Sequence, residues 1–151
     1  MVINSRNKVG YINREMLPME ISARSLKERT FELHREGMNG AQAILKAYME
    51  ADLIPNFPQL VDMTRAWKGG IGGDTCSAFA GATLIIGFYE ETRDENLKRL
   101  NDWYQKNYDS ISCPTITAAI GGRPSPRQKV FCDDLSAETA GFLFNLIKGE
   151  K

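Results

Sequence analysis

Four glycines in seven residues, Lys68-Gly69-Gly70-Ile71-Gly72-Gly73-Asp74, run directly into a stretch that is apolar on nearly every side, Ala78 to Phe88. Glycine lets backbone take positive φ or approach a neighbour closely. A helix apolar all round has to be covered all round. Together they predict a tight loop that delivers one short helix, at about 75–90, into the centre of a bundle. Ala78, Phe79, Ala82, Ile85, Ile86 and Tyr89 make its main stripe, and Leu84 and Phe88 widen it. The same run is too short for the ~20 residues of a membrane span.

Amphipathic segments supply the surrounding layer. Met19, Ala23, Leu26, Thr30 and Leu33 share one face of a helix predicted over Glu20 to Glu36, which Gly37 ends. Asn39 and Gln42 form a capping-box pair for the next helix, with Ala41, Ile44, Leu45, Tyr48 and Met49 as its stripe. Pro55 stops it. A third segment covers Phe57 to Trp67. Thr92 with Glu95 starts a fifth helix carrying Leu97, Leu100, Tyr104 and Tyr108. Asp109 to Leu135, rich in Gly and Pro, reads as loop, after which Ser136 caps a last helix with Ala140, Leu143, Phe144 and Ile147. The expectation is an all-α single domain of about six helices over 19–151, behind an N-terminal arm at 1–18, with no strand and no internal repeat.

Charge narrows the function. The chain of 151 residues carries 19 basic and 19 acidic side chains. Binding to nucleic acid needs a basic excess to neutralise phosphates, so neither nucleic acid nor membrane is expected as a partner. The first fifteen residues hold no apolar signal core, which predicts a cytoplasmic location. Trp67, Trp103 and Tyr104, with the surplus apolar surface of the fourth helix, predict a homodimer.

Cys76, Cys113 and Cys132 are the chemically interesting residues. They are odd in number, far apart and without a C-x-x-C pair, so a structural disulfide framework is not expected. Either they are inert buried thiols or they meet at a site. Asp74 reads as the cap of the fourth helix, placing Cys76 in the first turn, where free amides and the helix dipole favour a thiolate while Asp74 opposes it. Gly69, Gly70, Gly72 and Gly73 are the candidate cofactor-contacting loop, although it lacks the Gly-Lys-Ser/Thr ending of a nucleotide cradle. Cys132 adjoins Asp133 and Asp134, which argues against a nucleophile there. Both carboxylates read as solvated or capping, and His34, the one histidine, as a surface residue. Arg123, Arg127 and Lys129 form a small basic patch. No general base is identifiable for an enzyme acting through Cys76.

The string GGIGGDTCSAFAGATLIIG resembles the signature of the C_GCAxxG_C_C family of putative redox-active proteins. The family's cysteine-opened apolar helix is matched by Cys76-Ser77-Ala78-Phe79-Ala80-Gly81-Ala82. Its upstream helix start, G-Y/F-N-C-A-Q-A-V, is similar to Gly37-Met38-Asn39-Gly40-Ala41-Gln42-Ala43-Ile44, and its two later cysteines match Cys113 and Cys132. The resemblance spans about 20–148. It implies a small redox protein that works with a redox partner protein in electron transfer. It also implies Cys76, Cys113 and Cys132 as ligands of an iron–sulfur cluster or a metal ion. Gly40 stands where the family has its first cysteine, so a fourth ligand would have to come from water, a partner or His34. Gly40 follows the cap at a position expected to tolerate a side chain. The competing expectation is a non-catalytic helical domain that binds a partner or small ligand and has lost the family's site.

Overall fold

The computed structural model describes residues 21–149, so the arm predicted at 1–18 lies outside the described residues. Helix α1 spans Ala23–Arg35, with Ser22 and Ser25 exchanging the two hydrogen bonds of a capping box. Gly37, at φ 121°, takes the left-handed turn that ends it. Helix α2, Gly40–Glu50, starts as read: Asn39 accepts from the Gln42 amide and Gln42 reaches back to the Asn39 amide. Helix α3, Pro58–Met63, continues into a 3-10 turn over Thr64–Trp67. Helix α4 is Ser77–Ile86, shorter than the predicted 75–90. Glu90–Thr92 form a second 3-10 turn before α5, Arg93–Tyr108. Thr92 precedes α5 without a side-chain cap bond, because its Oγ1 accepts from Asn96 instead.

The region from Asp109 to Leu135 differs most from expectation. It holds α6, Cys113–Ala118, and the N-terminal part of α7, Pro126–Lys148, as far as Leu135. Ser125, not Ser136, is the N-cap of α7 and accepts from the Gln128 amide at 3.0 Å, with Pro126 as the first helical residue. Proline there costs nothing, since the amide it lacks has no intrahelical partner. Ser136 lies buried in mid-helix. The described residues therefore form an all-α domain with seven α-helices rather than about six.

Helix α4 is the central one, packed between α2, α5 and α7, while α7 also lies along α1. The contact of α2 with α4 is made by small residues. A Cβ on Gly81 would fall 2.7 Å from the Ala41 Cα, and one on Gly40 2.7 Å from the Ala78 Cβ. Two rigid backbones can approach this closely only where side chains are missing or minimal. Tyr48, Tyr104, Phe144, Ile44 and Leu143 fill the core. Its buried tyrosine hydroxyls are satisfied: Tyr48 donates to the Ala140 carbonyl and Tyr89 to that of Leu53. Tyr104 is wholly buried and Trp103 stacks on Phe142 with ring centroids 4.6 Å apart, so both residues are used within the chain. None of the described helices is long and apolar enough to cross a membrane.

Candidate functional site

The glycine loop is fastened to the segment ahead of α6 by a short antiparallel clasp. The Cys76 amide donates to the Ile111 carbonyl at 2.7 Å, the Cys113 amide to the Asp74 carbonyl at 2.5 Å, and Ser112 Oγ to Asp74 Oδ1 at 2.9 Å. Asp74 thus ties two segments together instead of capping α4, and Cys76 is the N-cap residue itself. This clasp brings Cys76 and Cys113 together across 36 intervening residues. Gly70 makes it possible. At φ 98° it occupies the left-handed region, and a Cβ would come 2.8 Å from the Thr75 carbonyl and 3.2 Å from the Cys113 Cβ.

Behind the clasp lies a cavity of about 520 Å³ that all three cysteines line, each from a different helix start or helix face. Gly40, Gly69 and Gly70 line it as well, whereas Gly72 and Gly73 do not. Cys132 is not in a loop ahead of the last helix but on the second turn of α7, and Cys113 opens α6. All three are free thiols.

The sulfurs differ in surroundings. Cys76 Sγ turns inward and lies 3.9 Å from the Tyr104 hydroxyl. The Ala78 and Phe79 amides pull its pKa down, as its place at a helix start predicts, but burial outweighs them and pushes the thiol up to about 11. Desolvation of the charged form beats the helix terminus here. Cys113 Sγ instead has the Arg123 guanidinium at 3.8 Å. Cys132 Sγ accepts from Gln128 Nε2 at 3.1 Å. Burial is the main force raising the Cys132 thiol, while Gln128 and Arg123 draw it back. The neighbouring Asp133, read from the sequence as arguing against a nucleophile here, is a minor influence because its carboxylate points elsewhere.

It points at His34. Both residues are buried, with His34 Nδ1 and Asp133 Oδ1 2.5 Å apart. Lys129 Nζ joins them, donating to Asp133 Oδ1 at 2.8 Å and to the His34 carbonyl at 2.5 Å. His34 is therefore not a surface residue, and Asp133 is neither solvated nor a cap. Only Asp134 of the pair is exposed. Burial lowers the pKa of His34 more than Asp133 raises it, so the imidazole facing the cavity is neutral at pH 7. The spacing of Lys129 and Asp133, four residues apart on one helix, would have signalled this cluster had α7 been started at Pro126.

A group held by four thiolates does not fit these residues. Its fourth corner is Gly40, whose Cα is pressed against Ala78, and a side chain there would meet the Ala78 backbone nitrogen at 2.8 Å. The expectation that this position tolerates a side chain is thus corrected by the α2–α4 contact. Among the described residues no three His, Cys, Asp or Glu side chains are placed to share one metal ion.

A family model described as "Putative redox-active protein (C_GCAxxG_C_C)" matches residues 38–146. That span starts just before α2, includes all three cysteines and ends near the close of α7. No curated protein matches the chain, and no solved structure does.

Proposed function

The chain belongs to the C_GCAxxG_C_C family of putative redox-active proteins, and from that premise we propose a redox-related role carried by its own thiols around the shared cavity. The observation that supports this reading is the convergence of Cys76, Cys113 and Cys132 on one cavity from three separate segments. Cys113 and Cys132 are the working pair. Arg123 lies beside both: its guanidinium is 3.8 Å from the Cys113 sulfur, and its charge draws the Cys132 thiol part of the way back from the rise that burial gives it. Cys76 faces Tyr104 in the core and stays protonated.

The step is a thiol–disulfide exchange. A Cys113 or Cys132 thiolate attacks an external small disulfide and displaces one thiol from it. The second cysteine sulfur then closes the intramolecular disulfide and displaces the other. Two electrons and two protons leave the protein and convert the external disulfide to two thiols. His34, neutral and held by Asp133, faces the same cavity and is the base available to accept a thiol proton.

Titration of the reduced chain against mixtures of oxidised and reduced glutathione, read by mass and by thiol labelling, tests the reading. Reversible loss of two hydrogens, abolished by Cys113→Ser or Cys132→Ser and retained in Cys76→Ser, is expected. Visible absorption with stoichiometric iron and sulfide after anaerobic purification would overturn it in favour of a resident cluster. So would a disulfide that maps to Cys76.

A further inference from the structure

The cavity carries more positive charge than its thiol chemistry uses. Its lining includes the side chains of Lys68, Arg123 and Lys129 and not one aspartate or glutamate. In a chain whose acidic and basic residues balance one for one, that is a marked local departure. Lys129 is offset by Asp133, which sits behind it with His34. Arg123 and Lys68 have no carboxylate partner among the described residues, and the only polar contact of Arg123 there is the Cys113 sulfur. A guanidinium left with its fork of donors facing a cavity matches the planar geometry of a carboxylate or the tetrahedral face of a phosphate.

Size and wall chemistry point the same way. A volume of about 520 Å³ lies within the ordinary range of small-molecule pockets and far exceeds what one ion occupies. Met38, Ala78, Ile116 and Leu135 give apolar wall, while Asn39 and Gln128 add polar points. The starts of α2, α4 and α7 also open onto it, adding the positive ends of three helices to the two cations.

We propose that this cavity binds a small organic oxyanion, its charged group held by Arg123 with Lys68 at the rim and its carbon skeleton against the apolar wall. The inference rests on the cavity and its cations and stands apart from the thiol chemistry.

Calorimetry on the reduced full chain at low salt tests it, with succinate, inorganic phosphate and the neutral succinamide as probes. Saturable binding of succinate or of phosphate is expected, and which of the two binds assigns the oxyanion. Arg123→Met should weaken it by about tenfold or more. Arg127→Met, in the first turn of α7 and outside the lining, should leave it unchanged. Binding should persist in the Cys113→Ser/Cys132→Ser double variant, whatever becomes of its redox behaviour. Failure of both anions to bind, equal binding of succinamide, equal loss in Arg127→Met, or loss in the double serine variant would each overturn the inference.

Discussion

The Cα of Gly40 is so close to Ala78 that a Cβ added to it would lie 2.7 Å from the Ala78 Cβ and 2.9 Å from its Cα. Contacts with a backbone cannot be relieved by a rotamer change, so α2 and α4 would have to separate. Gly40→Ala and Gly40→Cys should each cost about 1–3 kcal/mol, the range for overfilling a packed contact. Gly81→Ala, pressed on Ala41 in the same seam, should cost as much. Urea unfolding measures all three. Gly40→Cys should gain no affinity for zinc over the parent, since the helix contact is disturbed before a ligand is supplied.

The three thiols should separate by reactivity. With its pKa pushed up to about 11, Cys76 is thiolate in only about one molecule in a thousand at pH 8. Cys132 is partly exposed and should alkylate well before the buried Cys76. Timed iodoacetamide labelling read by peptide mass gives the order. Equal rates would show that Cys76 is reached by opening of the fold rather than by its own ionisation.

His34 makes stability depend on pH with a definite sign. Its folded pKa lies below the ordinary 6.5, because burial outweighs Asp133, with Lys129 and Arg123 adding to the fall. The unfolded chain therefore binds the proton more readily. The stability contribution is complete above about pH 6.5 and is lost as pH falls towards the folded pKa. Unfolding free energy measured from pH 8 to pH 5 should decline, and His34→Gln should flatten that decline.

Asp133→Asn should be more damaging than either effect. It keeps an acceptor oxygen but removes the negative charge that His34 and Lys129 share, leaving the Lys129 ammonium beside a buried imidazole without its counter-ion. Hydrogen bonds to a charged group are worth about 1.5–3 kcal/mol each, so a loss of about 2–3 kcal/mol is expected by denaturant unfolding. Asp134→Asn, one residue on and exposed, should change little.

Tyr104→Phe tests the support under Cys76. Thr139 Oγ1 donates to the Leu135 carbonyl, so the Tyr104 hydroxyl is the donor in its 2.7 Å bond to Thr139. Removing it should cost about 1 kcal/mol in thermal unfolding.

What the sequence determined by itself is the class of fold and the helix ends set by local chemistry. Gly37 and the Asn39–Gln42 pair mark their boundaries through bonds made within a few residues, and the apolar run from Ala78 identifies the central helix because no exposed helix can be so apolar. The family signature is equally local. The start of α7 was hidden because Asp133 and Asp134 look like surface residues until α1 brings His34 against one of them. The same holds for the cavity. Cys76, Cys113 and Cys132 are separated by turns and helices, and only the clasp between Asp74 and Cys113 and the packing of α7 bring them to one space. Gly40 shows the reason most simply. A glycine after a helix cap reads as open when only its neighbours in the chain are known, and the packing of α4 across α2 decides that it is closed.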